Sequence, residues 1–344
     1  MHIGIAFDLK PDGPLAAGAP DDQYEEFDSP ATIQAIADVL RAAGHTVSEL
    51  GNGRALLESL LKSPPDLVFN FAEGTGVSRS REARVPAVCE MLGIPYTGSD
   101  PLTLAVALDK DIARRLVADA GVIVPRGFVL PPPREPYDGE FVEFPALLAE
   151  HELACPVIAK PTCEGSSKGI RNRCLIRTPE ELGPTIVELW NAYRQPVLVE
   201  EFIGGEEVTV GVWGNDPPAV LGLMRVVPKQ PTEHFVYSLE VKRNYEALVE
   251  YECPPKLPAA VLRALEEAAL TAYDALGCRD VARCDFRVSA AGVPYFLEVN
   301  PLPGLSPITS DLMLLAKGAD VAYEELIRRI VDAALARGIS EPDA

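Results

Sequence analysis

Histidine is scarce in this chain, four in 344 residues, and the four (His2, His45, His151 and His234) are scattered. No Ser/His/Asp or Cys/His arrangement is readable around them, so catalysis by an activated side-chain nucleophile is not indicated. Basic charge is also short: 31 Lys and Arg face 51 Asp and Glu, a net charge of -20. That balance excludes a general nucleic-acid binder, because phosphate backbones are held by basic surfaces; any polyanion must meet a local basic pocket. The seven cysteines are odd in number, and no two have the spacing of a zinc or redox pair, so they read as reduced thiols of a cytosolic protein. No apolar run is long enough for a membrane span. The start, Met1-His2-Ile3-Gly4-Ile5-Ala6-Phe7-Asp8, has neither the basic region nor the apolar core of a signal peptide and reads as the first strand of a domain.

What is present is an ordinary globular composition, 47% hydrophobic and 24% charged, in a chain long enough for two or three domains. The first hundred residues alternate in the α/β manner, with strands at Ile3 to Phe7, Thr46 to Leu50 and Asp66 to Phe71. Between and after them lie helices capped by Ser29 and Pro30, at Arg54 to Leu61, and at Arg81 to Leu92 before Gly93. This predicts a parallel, doubly wound domain. Helices at Pro101 to Leu108 and Asp111 to Ala120 follow, then a Pro-rich surface excursion over 131–140, a helical Phe144 to Leu153 and a strand at Pro156 to Lys160. Strands at Val197 to Phe202, Val208 to Trp213, Val220 to Val227, Arg283 to Val288 and Val293 to Asn300, with a helix at Pro258 to Leu276, predict a mostly antiparallel sheet backed by helices. A last helix, Val321 to Arg337, precedes a polar tail expected to fray.

Three segments carry chemistry. In the last two strands, period 2 puts Arg283, Asp285 and Arg287 on one side of the first, and Phe296, Glu298 and Asn300 on one side of the second. A hairpin would gather Asp285, Glu298 and Asn300, hard oxygen ligands suited to Mg²⁺; taken alone, the same alternation describes an exposed polar face. The loop Lys160-Pro161-Thr162-Cys163-Glu164-Gly165-Ser166-Ser167-Lys168-Gly169 fits a polyphosphate clamp or a flexible turn, and it is not a Walker A sequence. The stretch Val197 to Glu207 is a strand breaking into an acidic Gly-Gly turn. Its Phe202-Ile203 suits an adenine edge, and its acids are otherwise solvated.

In order, Lys110, Lys160 with its Glu-Gly-Ser-Ser loop, Glu200 to Glu207, Lys242, Arg283 with Asp285, Glu298 with Asn300, and Gly304 resemble the ATP-grasp ligases. The phrase Leu92-Gly93-Ile94-Pro95-Tyr96-Thr97-Gly98-Ser99 before Leu108-Asp109-Lys110 makes the chain most similar, within them, to the D-alanine–D-alanine ligases. The resemblance implies an ATP-grasp fold: an N-terminal doubly wound domain over 1–105, a small central ATP-clamp domain over 106–195, and a C-terminal, mostly antiparallel domain over 196–344. It implies ATP-dependent joining of two amino acids through an acyl phosphate, in the cytoplasm and in peptidoglycan synthesis. Two Mg²⁺ ions, with Mn²⁺ as a substitute, would be held by Asp285, Glu298 and Asn300. Lys110, Lys160 and Lys242 would contact phosphates, Ser166 and Ser167 would close over the γ-phosphate, and Glu200, Ile203 and Glu207 would hold adenine and ribose. Arg283 and the Gly304 N–H would meet the oxyanion of the tetrahedral intermediate. A homodimer is a further implication; nucleic-acid and membrane partners are not expected.

The amino-acid pocket departs from the family pattern. Where the family has His-Gly-x-x-Gly-Glu-Asp-Gly, this chain has Phe71-Ala72-Glu73-Gly74-Thr75-Gly76-Val77-Ser78-Arg79-Ser80-Arg81-Glu82. The family histidine is missing and arginines have entered, of which Arg79, Arg81 or Arg84 would bind a substrate carboxylate, unless Arg81 and Glu82 only cap a helix. Glu25 or Glu26 would replace the acid that orients the first substrate's amine, and Arg243 stands where the family has a substrate-side Tyr. Thr309 falls where the family has a Ser at the second substrate's carboxylate. Two alternatives therefore stand beside D-alanine ligation: an ATP-grasp ligase for other amino acids or hydroxy acids, and a nucleotide-binding regulator without turnover.

Overall fold

The computed structural model describes residues 1–16, 18–133 and 144–337, so most of the expected Pro-rich excursion and the polar tail lie outside the described residues. The chain begins β1 (His2–Phe7), α1 (Pro30–Ala42), β2 (Thr46–Gly51), α2 (Gly53–Lys62), β3 (Leu67–Phe71) and α3 (Arg84–Leu92). The three strands are parallel in the order β2-β1-β3, as helical crossovers require. Ser29 caps α1 by accepting the Thr32 N–H at 3.3 Å, and Pro30 sits in the first turn, where its missing N–H leaves no bond unmade. At the other end of the domain α3 stops on Gly93, whose φ of 64° is left-handed. This helix starts at Arg84, not at Arg81 as expected, because the Arg81 side chain is drawn into a buried ion-pair cluster and its backbone forms a turn.

Next come α4 (Pro101–Leu108), α5 (Lys110–Asp119), β4 (Gly127–Leu130), α6 (Phe144–Glu150), β5 (Val157–Pro161), β6 (Leu175–Ile176), α7 (Leu182–Tyr193) and β7 (Val197–Glu201). The strands form a four-stranded antiparallel sheet in the order β4-β7-β5-β6. Phe144 and Leu148 of α6 and Leu182, Ile186 and Leu189 of α7 cover one face of it, over Val157, Ala159, Val197 and Val199. β7 therefore belongs to the central unit, and the expected boundary at 195/196 would have parted it from both its partners. Nor does the central unit begin at 106: Ala107, Ala113 and Val117 of α4 and α5 pack into the core of the following sheet.

That sheet is built from β8 (Glu206–Trp213) and β9 (Ala219–Pro228), then, past α8 (Leu239–Arg243) and α9 (Tyr245–Leu248), β10 (Val249–Glu252); α10 (Ala259–Ala275) leads on to β11 (Val281–Val288) and β12 (Pro294–Asn300). It is antiparallel, in the order β10-β9-β8-β11-β12. Two helices close the described chain, α11 (Asp311–Gly318) and α12 (Tyr323–Ala336). Although last in sequence, α12 packs through Leu326, Ile327 and Ile330 on Ile33, Ile36 and Leu40 of α1, so the C-terminal segment helps build the N-terminal domain. The buried Asp280 carboxylate fixes the same junction, accepting from the Gly98 N–H at 2.7 Å and from Arg337 at 2.7 and 3.0 Å. Among the described residues no helix is long and apolar enough to cross a membrane. All seven cysteines are free thiols, five of them buried.

One detail of β12 corrects the period-2 reading. Asp285 pairs with Glu298, but Phe286 pairs with Phe296, so Leu297 is the extra residue of a bulge. Below it the alternation is inverted: Phe296 is fully buried and meets the Phe286 ring edge-on at 5.8 Å, on the core side of the sheet. Glu298 and Asn300 keep the polar side, and Leu297 joins them there.

Candidate active site

The central and C-terminal sheets face each other across a cleft. Lys160 on β5 and Glu200 on β7 point into it from one side; Glu207 on β8, Asp285 and Arg287 on β11, and Leu297 and Glu298 on β12 line the other. Ile203, Ser167 and Lys242 complete the lining, so most of the residues proposed for the nucleotide share one cavity. Within it Lys160 and Glu200 are 2.6 Å apart, nearly excluded from water. Arg287, which period 2 placed on this face without a role, organises the hinge. Its guanidinium donates to the carbonyls of Ile203 (2.5 Å), Gly205 (3.0 Å) and Phe235 (2.9 Å), pairs with Glu207 at 2.9 Å, and stacks over the Phe202 ring at 4.6 Å. Burial pushes the Glu207 carboxyl above the usual range in spite of Arg287.

Asp285 stands at the cleft's inner end. Its Oδ1 accepts from Thr209 Oγ1 at 2.9 Å and its Oδ2 from Asn300 Nδ2 at 3.2 Å, and both oxygens accept from Arg283. Glu298, opposite Asp285 across the strands, pairs with Lys110 at 2.9 Å. Burial would raise the Glu298 carboxyl, but Lys110, Lys160 and Arg283 outweigh it and hold it down at about 2. Lys110 answers in kind: burial lowers it, Glu298 more than compensates, and the ammonium stays charged. Among the described residues no three His, Cys, Asp or Glu side chains are grouped to hold a metal ion. The oxygen set here is two carboxylates and an amide, hard donors appropriate to Mg²⁺ with its remaining positions open to water and phosphate.

Arg283 and Glu298 also line a second chamber, with Lys110, Ser166, Asn300 and Gly304. Its roof is the Gly/Ser loop, where Ser166 and Ser167 both adopt left-handed φ values of 50° and 60°. That costly conformation is held by the N-terminal domain. The Gly165 N–H donates to Glu26 at 2.5 Å and the Gly169 N–H to Asp22 at 3.0 Å, while the Tyr193 hydroxyl donates to Asp22 at 2.7 Å. Lys110 reaches the Glu164 carbonyl from below. Lys168 pairs with Glu164 at 2.5 Å and with Glu26 at 3.0 Å.

Most residues expected at the amino-acid pocket are engaged with one another. Arg81 and Glu26, both expected at a substrate, meet each other: Arg81 donates to Glu26 at 2.8 and 3.0 Å and to the Cys163 carbonyl at 2.7 Å, with its side chain 1% exposed. Arg79 pairs with Asp109 at 2.9 Å and Arg84 donates to the Thr75 carbonyl at 2.8 Å, and neither they nor Arg81 line the chamber. Arg243 pairs with Asp21 at 2.6 Å and with Glu25 at 2.8 Å, tying α8 to the N-terminal domain. Thr309 and Glu25 line a wider pocket of about 440 Å³ that opens on Ser166, Arg283 and Gly304. Lys168, Arg287 and Asp311, the last 3.3 Å from Arg283, carried no assigned role; the first two stood in segments already singled out, and Asp311 gave no sequence signal.

A cleft of lysines and acids between two antiparallel sheets, opening on an Arg and a glycine loop behind a parallel α/β domain, defines an ATP-grasp ligase. A family model described as the D-ala D-ala ligase C-terminus matches residues 140–332. A D-alanine–D-alanine ligase of Geobacter sulfurreducens is 33% identical over 297 residues, covering 86% of each chain. An uncharacterized protein of Sinorhizobium fredii, y4sG, is 33% identical over 309 residues, covering 87% of this chain and 86% of its own. The chain belongs to the D-alanine–D-alanine ligase family. The solved structure of a D-alanine–D-alanine ligase from Bacillus anthracis, complexed with ATP, covers 98% of both chains with a TM-score of 0.71 at 22% identity, which shows the shared fold.

Proposed function

We propose that this protein joins two D-alanines in an ATP-dependent reaction, giving a dipeptide, ADP and phosphate. The observation that carries the reading is Arg283, placed where the nucleotide cleft and the second chamber meet and lining both, so that one cation can act on the groups of both chemical steps. Asp285, Glu298 and Asn300 would hold Mg²⁺, which when bound draws charge from phosphate oxygens. Lys110, Lys160 and Lys242 screen the repulsion between an attacking carboxylate and the γ-phosphate, and Ser166 and Ser167 present the loop that covers it. Glu200, Ile203 and Glu207 orient adenine and ribose. Arg283 and the Gly304 N–H then meet the negative charge that develops as the amine adds to the acyl phosphate, with the second substrate's carboxylate toward Thr309.

The test is phosphate release by the purified protein with Mg²⁺ and ATP across a panel of D- and L-amino acids, with mass spectrometry of the product. Release with D-alanine and a dipeptide mass are expected; silence across the whole panel overturns the reading. A second reading, the same chemistry on other amino acids or a hydroxy acid, is favoured by one observation: Arg243, at the position where the family resemblance implies a substrate-side Tyr, is ion-paired to Asp21 and Glu25. Activity with other acids and none with D-alanine selects it.

A further inference from the structure

Four carboxyls from the N-terminal domain, Glu26, Asp28, Glu73 and Glu82, line the small chamber of about 60 Å³ that also holds Ser166, Arg283 and Gly304. They are not equivalent. Glu26 already accepts from Arg81, from Lys168 and from the Gly165 N–H. Arg81 and Lys168 are balanced within that cluster by Glu26 and Glu164, so Glu26 has its charge already matched and none left over for a substrate ammonium. Glu25 is likewise engaged, by Arg243 at 2.8 Å. The two acids expected to orient the first substrate's amine are thus both taken.

Glu82 differs from them. The residue is 6% exposed and lines the chamber, yet among the described residues its carboxyl has no hydrogen-bond or ion-pair partner, and neither has that of Glu73 beside the same space. A carboxyl largely withdrawn from water with no donor beside it is costly, and a cation entering the chamber these two line would supply the missing partner. Burial, set against Arg81 and Lys110, leaves Glu82 pushed up to about 8; burial, then Glu82 and Glu26, push Glu73 well above the usual carboxylate range.

Resting on the ligase reading, we propose that Glu82, seconded by Glu73, receives the ammonium of the amino acid that is activated first. Glu26, Arg81 and Lys168 instead form the wall that carries the Gly/Ser loop. The ligand class is a small α-amino acid in its ammonium form, its carboxylate toward Lys110 and Arg283.

The experiment is a competition between D-alanine and propionate, which is alanine without its amine and can enter only as the activated acid. The ratio of D-alanyl-D-alanine to N-propionyl-D-alanine is read by mass spectrometry, with the KM for ATP measured alongside. In Glu82→Gln the ratio is expected to fall roughly tenfold or more, as for loss of a charge-assisted hydrogen bond, with the ATP KM unchanged. Glu82→Asp, which keeps the charge, is expected to retain part of the preference. A ratio that stays at the wild-type value in Glu82→Gln overturns the inference and leaves the ligase reading standing. A wild type that makes no dipeptide from any amino acid overturns both.

Discussion

Arg283 and Asp285 stand two residues apart on one face of β11, and the Arg283 guanidinium donates to both carboxylate oxygens, from Nε at 3.1 and 3.3 Å and from Nη2 at 2.9 Å. The pair links the oxygen set suited to Mg²⁺ with the group proposed to meet the oxyanion. Its third nitrogen reaches Asp311 at 3.3 Å, so the guanidinium is held flat between two acids. Arg283→Ala should lower kcat by about 10²–10³, the usual loss for one oxyanion donor, and leave the ATP KM nearly unchanged. Arg283→Lys should not restore it, since an ammonium cannot reproduce the fork. Steady-state phosphate release checks both.

Removing the charge of Asp285 should act on the metal. Asp285→Asn is expected to raise the Mg²⁺ concentration for half-maximal activity by roughly 10–100-fold, while EDTA should abolish wild-type phosphate release and excess Mg²⁺ restore it. A magnesium titration of variant and wild type is the measurement. An unchanged requirement would remove Asp285 from the ligand set.

The buried cluster under the Gly/Ser loop should matter for stability. Arg81 and Glu26 have side chains 1% and 2% exposed, and Lys168 is 8% exposed. Arg81→Met would leave carboxylates without their partner, at a cost of about 3–5 kcal/mol. Urea denaturation of the apo protein should show the loss as a lower midpoint.

Glu82 makes stability depend on pH. Its carboxyl is pushed up from 4.5 to about 8, chiefly by burial, so across that window the folded protein keeps a proton that the unfolded chain has released. Stability in the absence of substrate should therefore fall as pH rises from 4.5 through 8. Glu82→Gln removes this contribution. Thermal melts should show the variant a few °C more stable than wild type above pH 8, on the order of the shift expected for 1–2 kcal/mol, and no different near pH 4.

Much of the site was readable because its residues lie on local frames. Asp285 and Arg283 follow from period 2 within one strand; Lys160 and Ser166 belong to one short loop; Ser29, Pro30 and Gly93 mark helix ends by backbone chemistry that neighbours hardly change. Phe296 was misplaced for the opposite reason. A bulge at Leu297 shifts the register of β12 against β11, and a register belongs to a pair of strands. β7 was assigned to the wrong sheet on the same ground: its sequence is that of a strand, but nothing in it names β4 and β5 as partners.

The sequence by itself pointed to the reaction class through an ordered set of residues that resembles a known ligase family. It also singled out the oxygen, lysine and arginine groups proposed for that reaction, since each stands at a spacing that local geometry turns into a face or a loop. Only the tertiary structure decided which charges remain free. Arg81 lies 55 positions from Glu26 and 83 from Glu164, yet all three share one dry cluster; that contact engages Glu26, while Glu82, which lines the neighbouring chamber, has no hydrogen bond or ion pair among the described residues. Electrostatic pairing depends on distance and burial, and both arise when separate elements pack.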